Sequence, residues 1–586
     1  MVNKSQPPEV EIGDASVKTV KGICLGVALA GVVVGAGTTV ACAVASAETG
    51  TDGGSGTATA RSAGPRTPAA DRQAPRVRPA AAVAAVDTAS ASSRSVGAGA
   101  RTAARSARGS SSDSVTAALT PFSTAPSAPV TLLSALPVLP SPSAANSQRS
   151  AAPAAAVIAP AAVGPTHVLL IGTDGTNLSK ILANPANTGF FNLMNQSVTG
   201  ATSLIGHTTI SGPSWTTILT GVWDTKSGVI NNIFDPAPYD KWPTVFNQLE
   251  AYDRNIGTAV VADWKYINDL AAAGAYPADS NTYYGFTDNW AATDAQVTNK
   301  TIDLINATTP GSSSFVFSYQ VQVDEAGHSF GGGSPEYAQA VTNVSNNVAQ
   351  IMNAVTVWNA ANPSEQWSVL VTTDHGHQQS VGFGHGFQSP NETSSFVIFD
   401  PAGTTGNEGW QNLKYSTVDI TPTIVGLFGA PSRSDFDGVP INQNQAVLNS
   451  LVRPVSLNSA APGGALNQTL TDAINSYGYP NIGTDIKLGI RTIAGSVPYF
   501  LDIAFTAITD RLQALAAQNI FLVSPIAAAS AALVGLIGGA VVSATNSLAH
   551  VIGYLTGAGT VAPSDPPLSS VPGTEALLAA SALPVL

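Results

Sequence analysis

The sequence points to an α/β protein, with a mainly parallel sheet and helices on both faces. Two observations carry this. Short β-branched apolar runs recur along the chain as "THVLLIG", "IGTAVVAD", "SSFVFSYQVQVD", "WSVLVTTD" and "SSFVIFD". Continuous runs of this kind suit strands buried on both faces. Between them lie stretches of helix-forming composition, such as Ser334 to Trp358, long enough for the crossovers that parallel strands need. A disordered N-terminal linker and an apolar helical C-terminal region complete the organisation.

Lys18 and Lys21 precede an apolar run, Gly22 to Ala41, followed by Ala45-Ser46-Ala47. That order reads as an export signal, with an uncleaved membrane anchor as the alternative for residues 1–47. Cys24 and Cys42 both fall inside it, so cleavage after Ala47 would leave neither disulfides nor thiolate ligands. Residues 48–165 are rich in Ala, Ser, Pro and Arg, with 10 Arg, no Lys and 5 acids. Too little apolar surface is present there to offset ordering entropy, so a disordered linker is expected.

Order is expected from residue 166, where the first apolar run ends at Asp174. A first folded domain is expected over residues 166–445. Charged residues make up only 11% of the chain, against about 25% in ordinary soluble domains. From Thr166 onward there are 12 Lys+Arg and 29 Asp+Glu, a net of −17. So acidic a surface argues against nucleic acid as a structural partner. Residues 446–586 differ in character: residues 512–564 contain no charged side chain, and Ile520 to Val542 is almost wholly apolar. A membrane helix, or a helical hairpin packed on itself or on a lipid surface, is expected there.

Three blocks carry the chemistry: "LLIGTDG", "VDEAGHSFG" and "TTDHGHQQSVGFGHG". They supply Asp174, Asp324, His328, Asp374, His375 and His385, and four of the seven histidines in the chain fall within them. Carboxylates and neutral imidazoles are ligands for Zn²⁺-like ions. Six of them suffice for two divalent metal ions with three protein ligands each, leaving positions open for a substrate oxygen and a water. Gly376 is expected to let the chain turn so that Asp374 and His375 reach one ion, and Gly327 to let a loop bring Asp324 and His328 together. Gly384 and Gly386 free the approach to His385.

A nucleophile is expected in "TTISGPSWTTILTGV". Ser211 precedes Gly-Pro at the start of a helix-like stretch, where N–H groups and the helix dipole suit a phosphoryl group. Thr209 and Ser214 are the alternatives, Ser214 reading equally as an N-cap. His377 is expected beside the ligands or in solvent. His167, His207 and His550 read as structural, and Lys265 as exposed or facing a substrate anion.

The blocks "GTDG", "SGPSWTTILTG", "GVINNIFDP", "VDEAGH", "TTDHGH", "GHG" and "VDITPTIVGLFG…DFDGVP" resemble the alkaline phosphatase superfamily. Within it they are similar to the type I phosphodiesterase/nucleotide pyrophosphatase family, over roughly residues 166–440. The resemblance implies an alkaline-phosphatase-like fold with two zinc ions. Asp174, Ser211, Asp374 and His375 would surround one ion, and Asp324, His328 and His385 the other. It places the nucleophile at Ser211 and implies that Asn232 hydrogen-bonds a phosphoryl oxygen, aided by the Gly212 backbone. Gly212 stands where the nucleotide pyrophosphatases carry a base-stacking Phe. The implied activity is extracytoplasmic hydrolysis of a small phosphorylated substrate through a phosphoseryl intermediate. Sulfatase-like or phosphonate hydrolase chemistry on the same fold is the neighbouring alternative. Trp215, however, stands where the sulfatase motif Cys/Ser-x-Pro-x-Arg has Arg. A non-catalytic envelope interaction protein is the reading from another class.

Overall fold

A computed structural model describes residues 164–568, apart from residue 383, residues 404–405 and residues 454–458. The expected export segment, with Cys24 and Cys42, and nearly all of the expected linker lie outside the described residues.

Nine strands form one sheet: β1 His167–Thr173, β2 Val198–Ser203, β3 Ile256–Ala262, β4 Ser280–Tyr283, β5 Ser313–Gln320, β6 Trp367–Thr372, β7 Ser394–Asp400, β8 Trp410–Asn412 and β9 Leu451–Val452. Their order is β4-β3-β5-β1-β6-β7-β2-β8-β9. The first five are mutually parallel. β7 runs antiparallel to both β6 and β2, so the sheet is mainly parallel with a mixed edge.

All seven residues of β1 are buried, as a central strand covered on both faces requires. Successive side chains point to opposite faces. Val168 and Leu170 enter one apolar core with Phe315, Phe317 and Trp215, whereas Leu169 and Ile171 enter the other with Phe190, Val344 and Trp367. Each such fully buried aliphatic side chain stabilises by about 1.5–3 kcal/mol.

Four helices matter most for the site: α1 Ser211–Thr220, α2 Gln322–Phe330, and a terminal pair, α3 Ile482–Ala516 and α4 Val523–Leu555. The sheet and its cores extend past residue 445, the expected end of the first domain. β9 pairs with β8, and Leu466, Leu470 and Ile474 of a helix at Ala465–Ser476 pack into the second core. The charge-free stretch forms most of a helical hairpin, with Gly538 of α4 against the ring of Phe505 of α3. Both helices are long and apolar enough to cross a membrane by length and composition, and only 17% of the most apolar window of each is buried.

Candidate active site

β5, β1 and β6 lie side by side and parallel, with Thr173 opposite Gln320 and Gly172 opposite Thr372. Their carboxyl ends therefore stop at one level in the middle of the sheet, where ligands of open α/β sheets collect. Asp174 follows β1 and extends the ladder by donating its N–H to the Gln320 carbonyl at 3.0 Å. Asp374 and His375 follow β6.

Asp324 and His328 reach this level differently from the loop expected. Both lie on α2, one helical turn apart and on one face, with Asp324 Oδ2 3.2 Å from His328 Nε2. Gly327 makes room instead of a turn: a Cβ there would come within 2.4 Å of the His377 ring. Gly376 likewise is not a positive-φ turn residue, but a Cβ would meet the Asn391 carbonyl at 1.9 Å. Gly384 does take a left-handed φ of +82°, and a Cβ on it would press on His377 and His328.

Ser211 opens α1, following Ile210 in extended conformation. Its Oγ lies 3.1 Å from His375 Nε2. Thr209 donates its hydroxyl to the Phe387 carbonyl and accepts from the Gly386 N–H, at 2.8 and 2.9 Å. Ser214 is not the N-cap, and its hydroxyl donates to the Thr208 carbonyl at 3.1 Å. Both alternatives to Ser211 are thus engaged inside the protein.

The donor set fits cations. Asp174 accepts on Oδ2 from the Trp215 indole at 2.7 Å and from the Tyr319 hydroxyl, leaving Oδ1 without a partner among the described residues. Asp374 accepts on Oδ1 from the Gly175 N–H at 3.1 Å, and its Oδ2 has no hydrogen-bond partner among those residues. Asp324 Oδ1 is in the same state. His375 Nδ1 lies 3.0 Å from the Gly376 carbonyl and His385 Nδ1 2.7 Å from the Thr209 carbonyl. Those contacts assign the proton to Nδ1 in each ring, so the Nε2 lone pairs face the carboxylates. Lone pairs meeting lone pairs in a buried space need positive charge between them.

Three groups of side chains bring their ligand atoms within 4.8 Å of one another: Asp174, Asp374 and His375; Asp324, His375 and His385; Asp324, His328 and His377. His377 therefore joins the cluster. It is fully buried, its Nε2 lies 3.7 Å from Asp324 Oδ1, and Asn177 grips its backbone at both N–H and carbonyl. Its spacing two residues past His375 was the one signal in the sequence. Trp215 and Tyr319, which anchor Asp174, gave none.

Electrostatics agree with the geometry. Burial, and then the charge of Asp324, push Asp174 up to about 8. Burial and both neighbouring carboxylates hold Asp374 well above its ordinary range. Desolvation takes His375 down to about 4 and holds His385 well below its ordinary range. Asp324 and His328 differ: against burial, their mutual attraction holds Asp324 well below its ordinary range and raises His328 to about 9. A bound cation would favour the ionised acids and the neutral imidazoles alike.

Asn232 lies next to Ser211: it accepts the Gly212 N–H on Oδ1 at 2.7 Å, so that N–H orients the carboxamide. The other residues singled out in the sequence lie apart. Lys265 is exposed and paired with Asp269. His167 is buried against Trp358 and Trp367, and His207 stacks on Trp223 at 3.6 Å.

Comparison with curated proteins gives no match. Among solved structures, the chain is similar to murine ectonucleotide pyrophosphatase / phosphodiesterase 5, at 15% identity over 49% of this chain and 100% of that one, TM-score 0.38. A 2-O GAG sulfatase is similar at 12% identity, over 47% and 73%, TM-score 0.36. The phosphonate monoester hydrolase SpPMH from Silicibacter pomeroyi is similar at 13%, over 47% and 76%, TM-score 0.34. The model of the type I phosphodiesterase / nucleotide pyrophosphatase family matches residues 168–388, a segment that contains Asp174, Ser211, Asn232, Asp324, His328, Asp374, His375 and His385.

Proposed function

We propose that this protein is an exported two-metal hydrolase that cleaves phosphate esters by way of Ser211. One observation carries the reading: a serine at a helix N-terminus lies 3.1 Å from His375 Nε2, and His375 in turn joins two groups of buried carboxylates, each with an oxygen left without a hydrogen-bond partner among the described residues. The family match supports phosphoester hydrolysis at the coarse level. Asp174, Asp374 and His375, with Ser211, would hold one divalent ion, zinc by donor type; Asp324, His328 and His385 would hold the other, with His377 beside them. When bound, the ions supply Lewis acidity that favours ionised oxygen and neutralises phosphoryl charge.

The chain's own contribution is orientation. The start of α1 holds Ser211 beside His375, while the Gly212 N–H is taken by Asn232 and Pro213 has none, so contacts to an anion fall to side chains. Ser211 Oγ loses its proton to solvent and forms a bond to phosphorus, while the ester P–O bond breaks and the alcohol leaves with a proton from water. A second water then cleaves the seryl ester, returning a proton to Ser211 and releasing the phosphate product. Asn232, with its carbonyl held by the Gly212 N–H, turns its amide donors toward the phosphoryl oxygens. Gly212 itself has no room for a side chain, since a Cβ would meet the Asn231 carbonyl at 2.7 Å. No base-stacking ring can sit there, so substrate recognition falls to other walls of the site. The two long apolar helices support a place at the membrane or cell envelope.

A panel of p-nitrophenyl phosphate, its bis ester, a nucleotide diester and p-nitrophenyl sulfate tests the reading, with metal content measured by mass spectrometry. Turnover of a phosphate ester with two ions per chain is expected. Preference for the sulfate would transfer the site to sulfatase chemistry. Two bound ions with no turnover would favour a binding role at the envelope.

A further inference from the structure

The terminal hairpin was expected to govern where the protein sits, yet its docking face lies on the rim of the site. Leu488, Arg491, Thr492, Gly495 and Pro498 of α3 are buried, while Ile482, Ile486, Ile490 and Ile493 on its other side are exposed. The buried stripe meets two segments. Against 224–232, which leads from α1 to Asn232, Arg491 pairs with Asp224, Gly495 approaches the Ile230 carbonyl and Asn546 of α4 accepts from the Asn231 carboxamide at 2.8 Å. Against the loop that carries His385, Thr492 donates its hydroxyl to the Gly386 carbonyl.

That dock is specific. Arg491 is 3% exposed and Asp224 2%, and a buried pair of this kind survives only when its other donors are satisfied. Here the guanidinium also reaches the hydroxyl and carbonyl of Thr556 at 3.1 and 2.6 Å, tying both legs of the hairpin to one carboxylate.

We propose that the hairpin completes the active site, with Thr492 positioning the loop that carries His385. The inference rests on the reading of His385 as a metal ligand and not on the hydrolase activity. His385 Nδ1 lies against the Thr209 carbonyl, and the next residue's carbonyl accepts from Thr492. Gly386 has φ +108°, a region that glycine enters freely, so the contacts at its N–H and carbonyl set where the loop lies. Thr492 acts as a second contact to a group that would touch metal, where loss typically costs 10–100-fold.

The full-length chain is the test object, with Thr492→Val, Thr492→Ser and, as a control on the exposed face of α3, Ile486→Ser. Chelator titration reads zinc affinity, and steady-state kinetics on bis-p-nitrophenyl phosphate reads kcat and KM separately. Thr492→Val should weaken zinc binding about tenfold or more, Thr492→Ser should restore it, and Ile486→Ser should match the parent. Zinc affinity within twofold of the parent in Thr492→Val would overturn the proposal, as would equal losses in Ile486→Ser. A parent that binds zinc but turns over no ester removes the hydrolase reading. The zinc titration of Thr492→Val and Thr492→Ser then still decides the inference.

Discussion

Asp174 shows how a single residue is made ready for a cation: one oxygen is fixed by Trp215 and Tyr319 and the other left open. Trp215→Phe deletes the donor and leaves a cavity in the core, so metal affinity should fall about 10–100-fold by chelator titration and Tm should fall as well. Ser211→Ala should lower kcat at least about a thousandfold while both ions stay bound; activity within tenfold of the parent would return Thr209 to consideration. A different kind of buried acid lies away from the ligands. Asp263 and Asp294 are almost wholly buried, and Asp263 Oδ1 and Oδ2 and Asp294 Oδ2 have no hydrogen-bond partner among the described residues. Burial raises Asp294 to about 7, and burial together with the charge of Asp294 raises Asp263 well above its ordinary range. Unfolded, both ionise near pH 3.9. As pH rises from about 4 to 7, the unfolded chain therefore releases protons that the folded chain keeps, and stability declines. Asp294→Asn should lessen that decline: its Tm should exceed the parent's at pH 8 by roughly 2–4 °C and approach it at pH 4. The ligand blocks were legible because carboxylate and imidazole chemistry is written locally. The contacts of Asp174 with Trp215 and Tyr319 span 41 and 145 residues, a distance that no spacing rule covers.

At the scale of elements, the strand ends were legible and one strand was overread. The apolar run "SSFVFSYQVQVD" suggests a strand reaching Asp324, but β5 stops at Gln320 and α2 starts at Gln322. The reason is a change of period. Val323 enters the core, while Asp324 and His328 face the site with Gly327 passing close to His377. In a strand Asp324 and His328 would share a face but stand about 13 Å apart; one helical turn brings them together. The close pass of Gly327 against His377 gives this arrangement a test. Gly327→Ala would force the His377 ring aside, so the variant should lose metal affinity and Tm together. An unchanged Tm would mean that His377 has room to move.

At the scale of the molecule, the sequence suggested a boundary near residue 445 because composition changes there, but the core does not. Leu466 and Leu470 are fully buried in the second core, and leaving them out costs about 1.5–3 kcal/mol each before the cavity is counted. A chain ended after Gln445 should therefore aggregate on expression, whereas one spanning residues 164–568 should elute as a folded species by size exclusion and circular dichroism. The Arg491–Asp224 pair also has a temporal side. Asp224 is held by Arg491 through its carboxylate and by the Gly559 N–H through its carbonyl. Both partners leave the ribosome well after His385, the last of the ligand residues. At 5–20 residues per second, the interval between His385 and Gly559 is roughly ten seconds or more. Throughout that interval the nascent polypeptide carries every proposed metal ligand without the brace against the His385 loop, so the order of translation itself delays completion of the proposed site.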